Sequence, residues 1–508
     1  MSNFINRRGF LTKALKAGAV AGLTDLGFLD RFQPGSIAQA KVPPLKMQLG
    51  EGVEPLARLI ENTPRHKLLD EIALRIRNKL SYEEILTALF LAGVRDIEPR
   101  PVGFKFHAVM VINPVRLTSQ ASQGNDRWLP LFWALDNFKV SQSRNQKEGG
   151  WVLKPVNESK LPSASQAKQL FIEGMDQWDE ERADHAVTSL SRSIDANELI
   201  ELFWRFGARD FRDIGHKAIY TANAWRTLEC IGQHHLEPVM RSLAYALLDH
   251  DEDNPARHNY EVDLPGRENV ERAMKIRDGW QNGKLAPNDA SDLLAVLRSA
   301  SAADASQALV EMLNKGVDYS SIWDGLFLGA GELLLRQPGI IGVHCVTSMN
   351  ALHYGFKASD NDMTRRLLLL QAAAFLPLFR QVMELGKIHP DQHLDTLEKA
   401  DIDPSNPSVI EQIFSDVSRN TTSAARKTLG FLEAGGDPKA LMTAARKLIF
   451  SKATDAHDYK FSTAIFEDYY NTTPAWRNRY LASSMFYLRG TGDRDTDVIK
   501  RTLAALQR

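Results

Sequence analysis

Four histidines stand where histidines are costly. His107 lies in FKFHAVMVINPVRL, His216 in IGHKAIYTANAWR, His344 in GVHCVTSMNAL and His457 in DAHDYKFSTAIFEDYY. Each interrupts an apolar run, whereas His250, His258, His389 and His393 sit among polar residues. A buried polar group left unpaired costs roughly 1–3 kcal/mol, so each imidazole needs a hydrogen-bond partner or a metal. Helical spacing gathers further polar groups around them. His216, Tyr220, Asn223 and Thr227 share one face; so do His344, Thr347 and Ser348, and so do His457, Lys460 and Asp468. Three such faces can line one polar cavity. The pattern predicts His216, His344, Lys460 and Tyr220 as catalytic groups and His107, Asn223 and Thr347 as cofactor-binding groups. His107, His216, His344 and His457 are the expected metal ligands. The competing reading makes each histidine a satisfied core or capping residue of a non-catalytic helical scaffold or ligand-binding protein.

The type of metal follows from what is missing. There is no HExxH, no CxxC pair and no CxxCH, which disfavours a paired-ligand zinc hydrolase or a thiolate zinc site and excludes covalent haem c. Ligands drawn from separate helices suit iron or copper, or a haem with axial histidine. Gly215 and Gly342 just precede two of the histidines and place them in first helical turns, where the helix dipole disfavours imidazolium. Neutral imidazole is the form that ligates a metal or acts as a base. A hydrolase built on Cys345 or Ser348 beside His344 is poor, because neighbouring positions on a helix point different ways.

The elements that must position these groups are helices. Leu68, Ile72, Ile76 and Leu80 recur every four residues, and Leu293, Leu294 and Leu297 form a second stripe. Start signals stand at Ser81 with Glu84, at Asn288-Asp289 with Asp292, and at Ser408 with Glu411. Residues 108–112 are the one short β-like run and read as buried helix. No strand–turn–helix unit carries GxGxxG, GxxxxGK[ST] or GxSxG. The expected fold is therefore all-α, a large multi-helix domain over 41–508. Residues 202–226 and 326–353 both read as an apolar helix, a Gly-containing connection and a His-bearing helix, which suggests a duplicated hairpin. Polar breaks fall at 155–166, 250–268 and 401–408. The middle one is either a surface loop beside a site or a link between two lobes. Asp136, Lys139, Gln142 and Ser143 read as a solvated face, His234-His235 as structural, and Cys230 and Cys345 as buried small residues rather than a bridge.

The N-terminus bounds where the protein works. Asn6-Arg7-Arg8-Gly9-Phe10-Leu11 resembles the twin-arginine (Tat) signal family. A short Ala/Gly-rich apolar run follows, too short for a stable anchor, and Ala38-Gln39-Ala40 predicts cleavage before Lys41. The signal implies the Tat translocase as partner and a periplasmic or secreted protein, folded before export and able to carry a cofactor. Removing residues 1–40 takes away five Lys/Arg and two Asp/Glu and leaves 57 against 61, a net charge of −4. The absence of a basic excess argues against a nucleic-acid partner.

The histidine segments are similar to those of the questin oxidase-like family. The matching positions are His107 in FHAVMVI, His216 with Ile219 in HKAIYTA, His344 with Val346 and Thr347 in HCVTS, and His457 with Lys460 in HDYK. They run in order along most of the mature chain, as short motifs only. Two departures stand out. Tyr220 replaces a second histidine of the family's HPLIH pattern, and Ala108 and Ile112 stand where further histidines occur. The resemblance implies an oxygenase that inserts oxygen into aromatic rings with a reduced nicotinamide. An exported protein has no ready supply of that reductant, so the expectation is an oxidoreductase or oxygenase-like enzyme acting on an apolar or aromatic small molecule by another route.

Overall fold

The computed structural model describes residues 45–383 and 392–507. The twin-arginine segment, its cleavage position and His389 lie outside them. The described residues form 23 α-helices joined by short 3₁₀ turns, with one isolated backbone bridge between Lys284 and Val317 and no strand. The all-α expectation holds because the Leu/Ala stripes at helical spacing bury against one another. Leu68, Ile72, Leu293, Leu294 and Leu297 are all buried, in a single continuous core that runs from Leu49 to Ala505.

The three start signals all stand at helix N-termini, but only Ser81 caps with its side chain. Ser81 and Glu84 form a reciprocal capping box at the Tyr82–Asp96 helix. Asn288 and Ser408 stand at the starts of the Asp289–Leu297 and Val409–Val417 helices. Residues 108–112 are wholly buried and helical except at Val111, the turn residue between His107–Met110 and Ile112–Gln120. Both proposed hairpins are helical pairs. Ala196–Gly207 packs on His216–Ile231, and Tyr319–Arg336 packs on Ile340–Ala358. The Ile340–Ala358 helix is central, packed against Tyr319–Arg336, Asp362–Met383, His216–Ile231 and Ala456–Asn471. Asp362–Met383 is long and apolar enough to cross a membrane, and 83% of its most apolar stretch is buried inside the protein.

The apolar core is continuous on both sides of the polar segment 250–268. That segment braces the chain just before His216. Phe211 N donates to the Val262 carbonyl at 3.0 Å, and Arg212 forks onto the Asp263 carboxylate at 2.5 and 2.9 Å.

Two surface expectations are corrected. Asp136, Lys139 and Gln142 are buried and only Ser143 is exposed. Arg65 and Arg501 both donate to Asp136, and Lys139 Nζ donates to the Glu61 carbonyl at 2.7 Å, so these polar groups are satisfied by helices that pack over them. Cys345 is buried as expected, but Cys230 is exposed; both are free thiols.

Candidate metal centre

Each of the four histidines starts or nearly starts a helix, and each has a built acceptor for its Nδ1. His107 opens His107–Met110 after Gly103 (φ +139°) and Phe104 (φ 43°), a turn that aims the Phe104 carbonyl back at the ring; Nδ1 to Phe104 O is 2.9 Å. His216 opens His216–Ile231 after three consecutive left-handed residues, Asp213 (φ 53°), Ile214 (φ 50°) and Gly215 (φ 81°). That turn brings the Asp213 carbonyl to 2.5 Å from His216 Nδ1. A β-branched residue such as Ile214 at positive φ is strained, by on the order of 1–3 kcal/mol, and such strain persists where the surroundings enforce it. Gly215 is required, because a Cβ there would lie 2.2 Å from Ser348 Oγ. His344 is the fifth residue of its helix, one turn later than Gly342 suggests, and its Nδ1 bonds the Ile340 carbonyl at 2.6 Å. His457 is the second residue of Ala456–Asn471, and its Nδ1 lies 3.0 Å from the carboxylate of Asp455, the N-cap of that helix.

These contacts fix the tautomers. A carbonyl or carboxylate oxygen only accepts, so each Nδ1 carries the proton and each Nε2 presents a lone pair. The lone pairs converge. His216 Nε2 is 2.8 Å from His344 Nε2 and 3.1 Å from His107 Nε2, and ligand atoms of all four residues lie within 4.8 Å of one another. The rings form a closed circuit, with centroid separations of 4.9 Å (His107–His216), 4.3 Å (His216–His344), 5.0 Å (His344–His457) and 4.4 Å (His457–His107). The His107–His344 diagonal is 6.3 Å.

Protonation does not relieve the crowding near neutral pH. Burial drives His107, His216 and His344 well below the ordinary imidazole range. Lys460 adds to burial for His107 and His216, and neighbouring His216 and His457 add to it for His344. The Asp455 carboxyl, which burial alone would raise, is brought down to about 2 by the charge and the hydrogen bonds of His457. Imidazoles whose ring nitrogens face one another, each oriented from behind by an oxygen, are the arrangement that metal-binding histidines adopt. With a metal–nitrogen distance of about 2.0 Å, neighbouring donors lie ~2.8 Å apart in a square plane and ~3.3 Å apart in a tetrahedron. The His216–His344 and His216–His107 separations, 2.8 and 3.1 Å, fall in this range. A haem does not fit, since four rings in mutual contact leave no slot for a macrocycle.

One helical turn beyond the histidines the chain forms a small cleft. Ile219, Thr347 and Lys460, each three residues past a cluster histidine, line it together with Pro114, Asn223 and Asn350. Its enclosed volume is about 10 Å³, room for little more than a water molecule. Lys460 is buried, its Nζ has no hydrogen-bond partner, and burial lowers its ammonium to about 7 against the opposing pull of Asp455. Asn223 accepts from Asn113 at 3.3 Å, and Thr347 Oγ1 donates to the Val343 carbonyl at 3.0 Å. Farther along, Asn350 donates to Glu467 and Asp468, both at 2.8 Å, and Arg226 pairs with Glu467 at 2.8 Å.

The site thus gathers all four histidines with Lys460, Asn223 and Thr347. Tyr220 is held elsewhere: its hydroxyl donates to Ser242 Oγ at 3.0 Å on the Leu236–Leu247 helix, and its ring packs edge-on against Phe106. Sequence reasoning missed Asp455 and the Phe104 and Asp213 carbonyls. An Asp two positions before a histidine at a helix start was the available signal for Asp455.

A second group, Glu332, His393 and Asp395, also brings possible ligands together. Its carboxylates are already committed. Glu332 takes Arg298, Arg336 and the Leu394 amide, and Asp395 takes Arg298, so this is an ion-pair network. Comparison with known protein families, with curated proteins and with solved structures finds no match, and the reading of the four-histidine site rests on its own residues.

Proposed function

We propose that His107, His216, His344 and His457 bind one transition-metal ion through their Nε2 atoms and that the protein is an exported metal-dependent oxidoreductase. One observation carries the reading: all four Nδ1 atoms are engaged by oxygen acceptors while the four Nε2 lone pairs converge with no donor among them. Imidazole donors suit copper, nickel, iron and zinc. We put copper first, as a redox ion suited to an all-imidazole set. The lack of a carboxylate donor argues against a facial-triad iron site.

The likeness of the His107, His216, His344 and His457 segments to those of questin oxidase-like proteins supports oxidative chemistry, and the twin-arginine pattern supports loading before export. Lys460 supplies a partnerless donor to the cleft one helical turn beyond the histidines, which has room for about one water molecule. The test is metal content of protein purified from the periplasm. One ion per chain, lost in both His216→Ala and His344→Ala, is expected. A folded protein that binds none of the four metals overturns the proposal.

A further inference from the structure

We infer that Lys217 is a positioning residue of the metal site: with Asp210 and Asp249 it ties together the two turns that aim His216 and His107. The inference rests on the proposed metal and adds what holds two of its ligands in place.

The starting point is a charge buried next to a ligand in the chain. Lys217 follows His216 and is 1% exposed. Its Nζ donates to the Asp210 carboxylate at 3.0 Å and to the Asp249 carbonyl at 2.8 Å. A buried ion pair is weak evidence for stability, because desolvation offsets most of the Coulomb gain. What this pair supplies is geometry. The Asp210 carboxylate also accepts from the Arg212 amide at 3.0 Å. One carboxylate thereby joins the residue before the turn at 213–215 to the residue after His216. The three left-handed residues of that turn include the strained Ile214, and closing the turn from both ends keeps the Asp213 carbonyl on His216 Nδ1.

Asp249 carries the brace to the second turn. Its carboxylate accepts from the Val102 amide at 3.4 Å, a long hydrogen bond. Val102 precedes Gly103 and Phe104, the positive-φ pair that directs the Phe104 carbonyl to His107 Nδ1. The two turns also touch, since a Cβ at Gly103 would lie 3.2 Å from His216 Cε1. Asp249 stands at the head of the polar segment 250–268, which returns to the first turn through Glu252 and Asp263 on Arg212 and through the Val262 carbonyl on Phe211. This segment is therefore a clamp on the orientation of two ligands, acting through bonds that neither ligand makes.

The experiment measures copper(II) affinity by competition titration, the copper paramagnetic resonance spectrum and urea unfolding, all on purified full-length protein. Asp210→Asn/Lys217→Met removes the pair together, so neither charge is left buried alone, and should unfold close to wild type. Its copper affinity should fall about tenfold, as for loss of an orienting contact behind a ligand, with a changed copper hyperfine splitting. Arg95→Met breaks a buried ion pair with Glu54 and Glu61, away from both turns in the hydrogen-bond network, and is the control: it should lose stability and keep copper affinity and spectrum. Unchanged affinity and spectrum in the double variant overturn the positioning role and leave the metal reading standing. An equal loss of affinity in Arg95→Met assigns the effect to general destabilisation and overturns it as well. If the double variant does not fold, Asp249→Ala decides, because it removes the carboxylate at Val102 and spares both bonds of Lys217: weaker copper binding supports the brace, and unchanged binding overturns it. A wild type that binds no copper overturns both readings.

Discussion

Lowering the pH of the metal-free protein should reveal the histidine cluster as a stability cost. The ordinary imidazole value is 6.5, and burial holds His107, His216 and His344 well below it. The unfolded chain therefore takes up protons that the folded chain refuses. Stability is fully present above about pH 6.5 and falls as the pH drops below it. Each such group contributes a slope of about 1.4 kcal/mol per pH unit, so the three together give up to about 4 kcal/mol per unit. His235 and His353, lowered by burial to about 4 and about 3, add slope in the same direction. A variant isolates the cluster: His344→Gln removes one titrating group and should flatten the dependence by about 1.4 kcal/mol per unit. Urea unfolding of wild type and variant at about pH 7, 6 and 5 measures it. Identical slopes, or a wild type that gains stability on acidification, would refute the reasoning.

Other outcomes follow from the same contacts. Asp455→Asn keeps an N-cap but removes the carboxylate behind His457, so metal affinity should fall roughly ten- to a hundredfold in a competition titration, with folding intact. Gly215→Ala puts a Cβ 2.2 Å from Ser348 Oγ at φ 81° and should cost about 2 kcal/mol or more in thermal unfolding, with loss of metal as His216 shifts. Arg95→Met strips the buried Glu61 of its 2.7 Å partner and should destabilise by about 3–5 kcal/mol; a change under about 1 kcal/mol would mean that Lys46 suffices.

Much of the site was legible because its cost is local. A histidine inside an apolar helical run must be satisfied by something, and His107, His216, His344 and His457 all carried that mark. Ser81 and Glu84 were legible for the same reason, as a capping box is written in four consecutive residues. What escaped was tertiary. Nothing near Asp136 or Lys139 in sequence announces that Arg65, Arg501 and the Glu61 carbonyl will cover them. Tyr220 shares a helix face with His216 by spacing, yet Ser242 of another helix takes its hydroxyl. Ile214 gives no hint of positive φ, which the turn before His216 imposes on it. Exposed Cys230 lies at the end of a helix whose buried face gives way to solvent there.

The most direct test of the central claim is electron paramagnetic resonance of the copper(II)-loaded protein with its metal content measured in parallel. The account predicts one copper per chain with hyperfine splitting from four imidazole nitrogens, reduced to three in His457→Ala. Copper bound with oxygen or sulfur donors, or an unchanged spectrum in the His107, His216, His344 and His457 alanine variants, would contradict it.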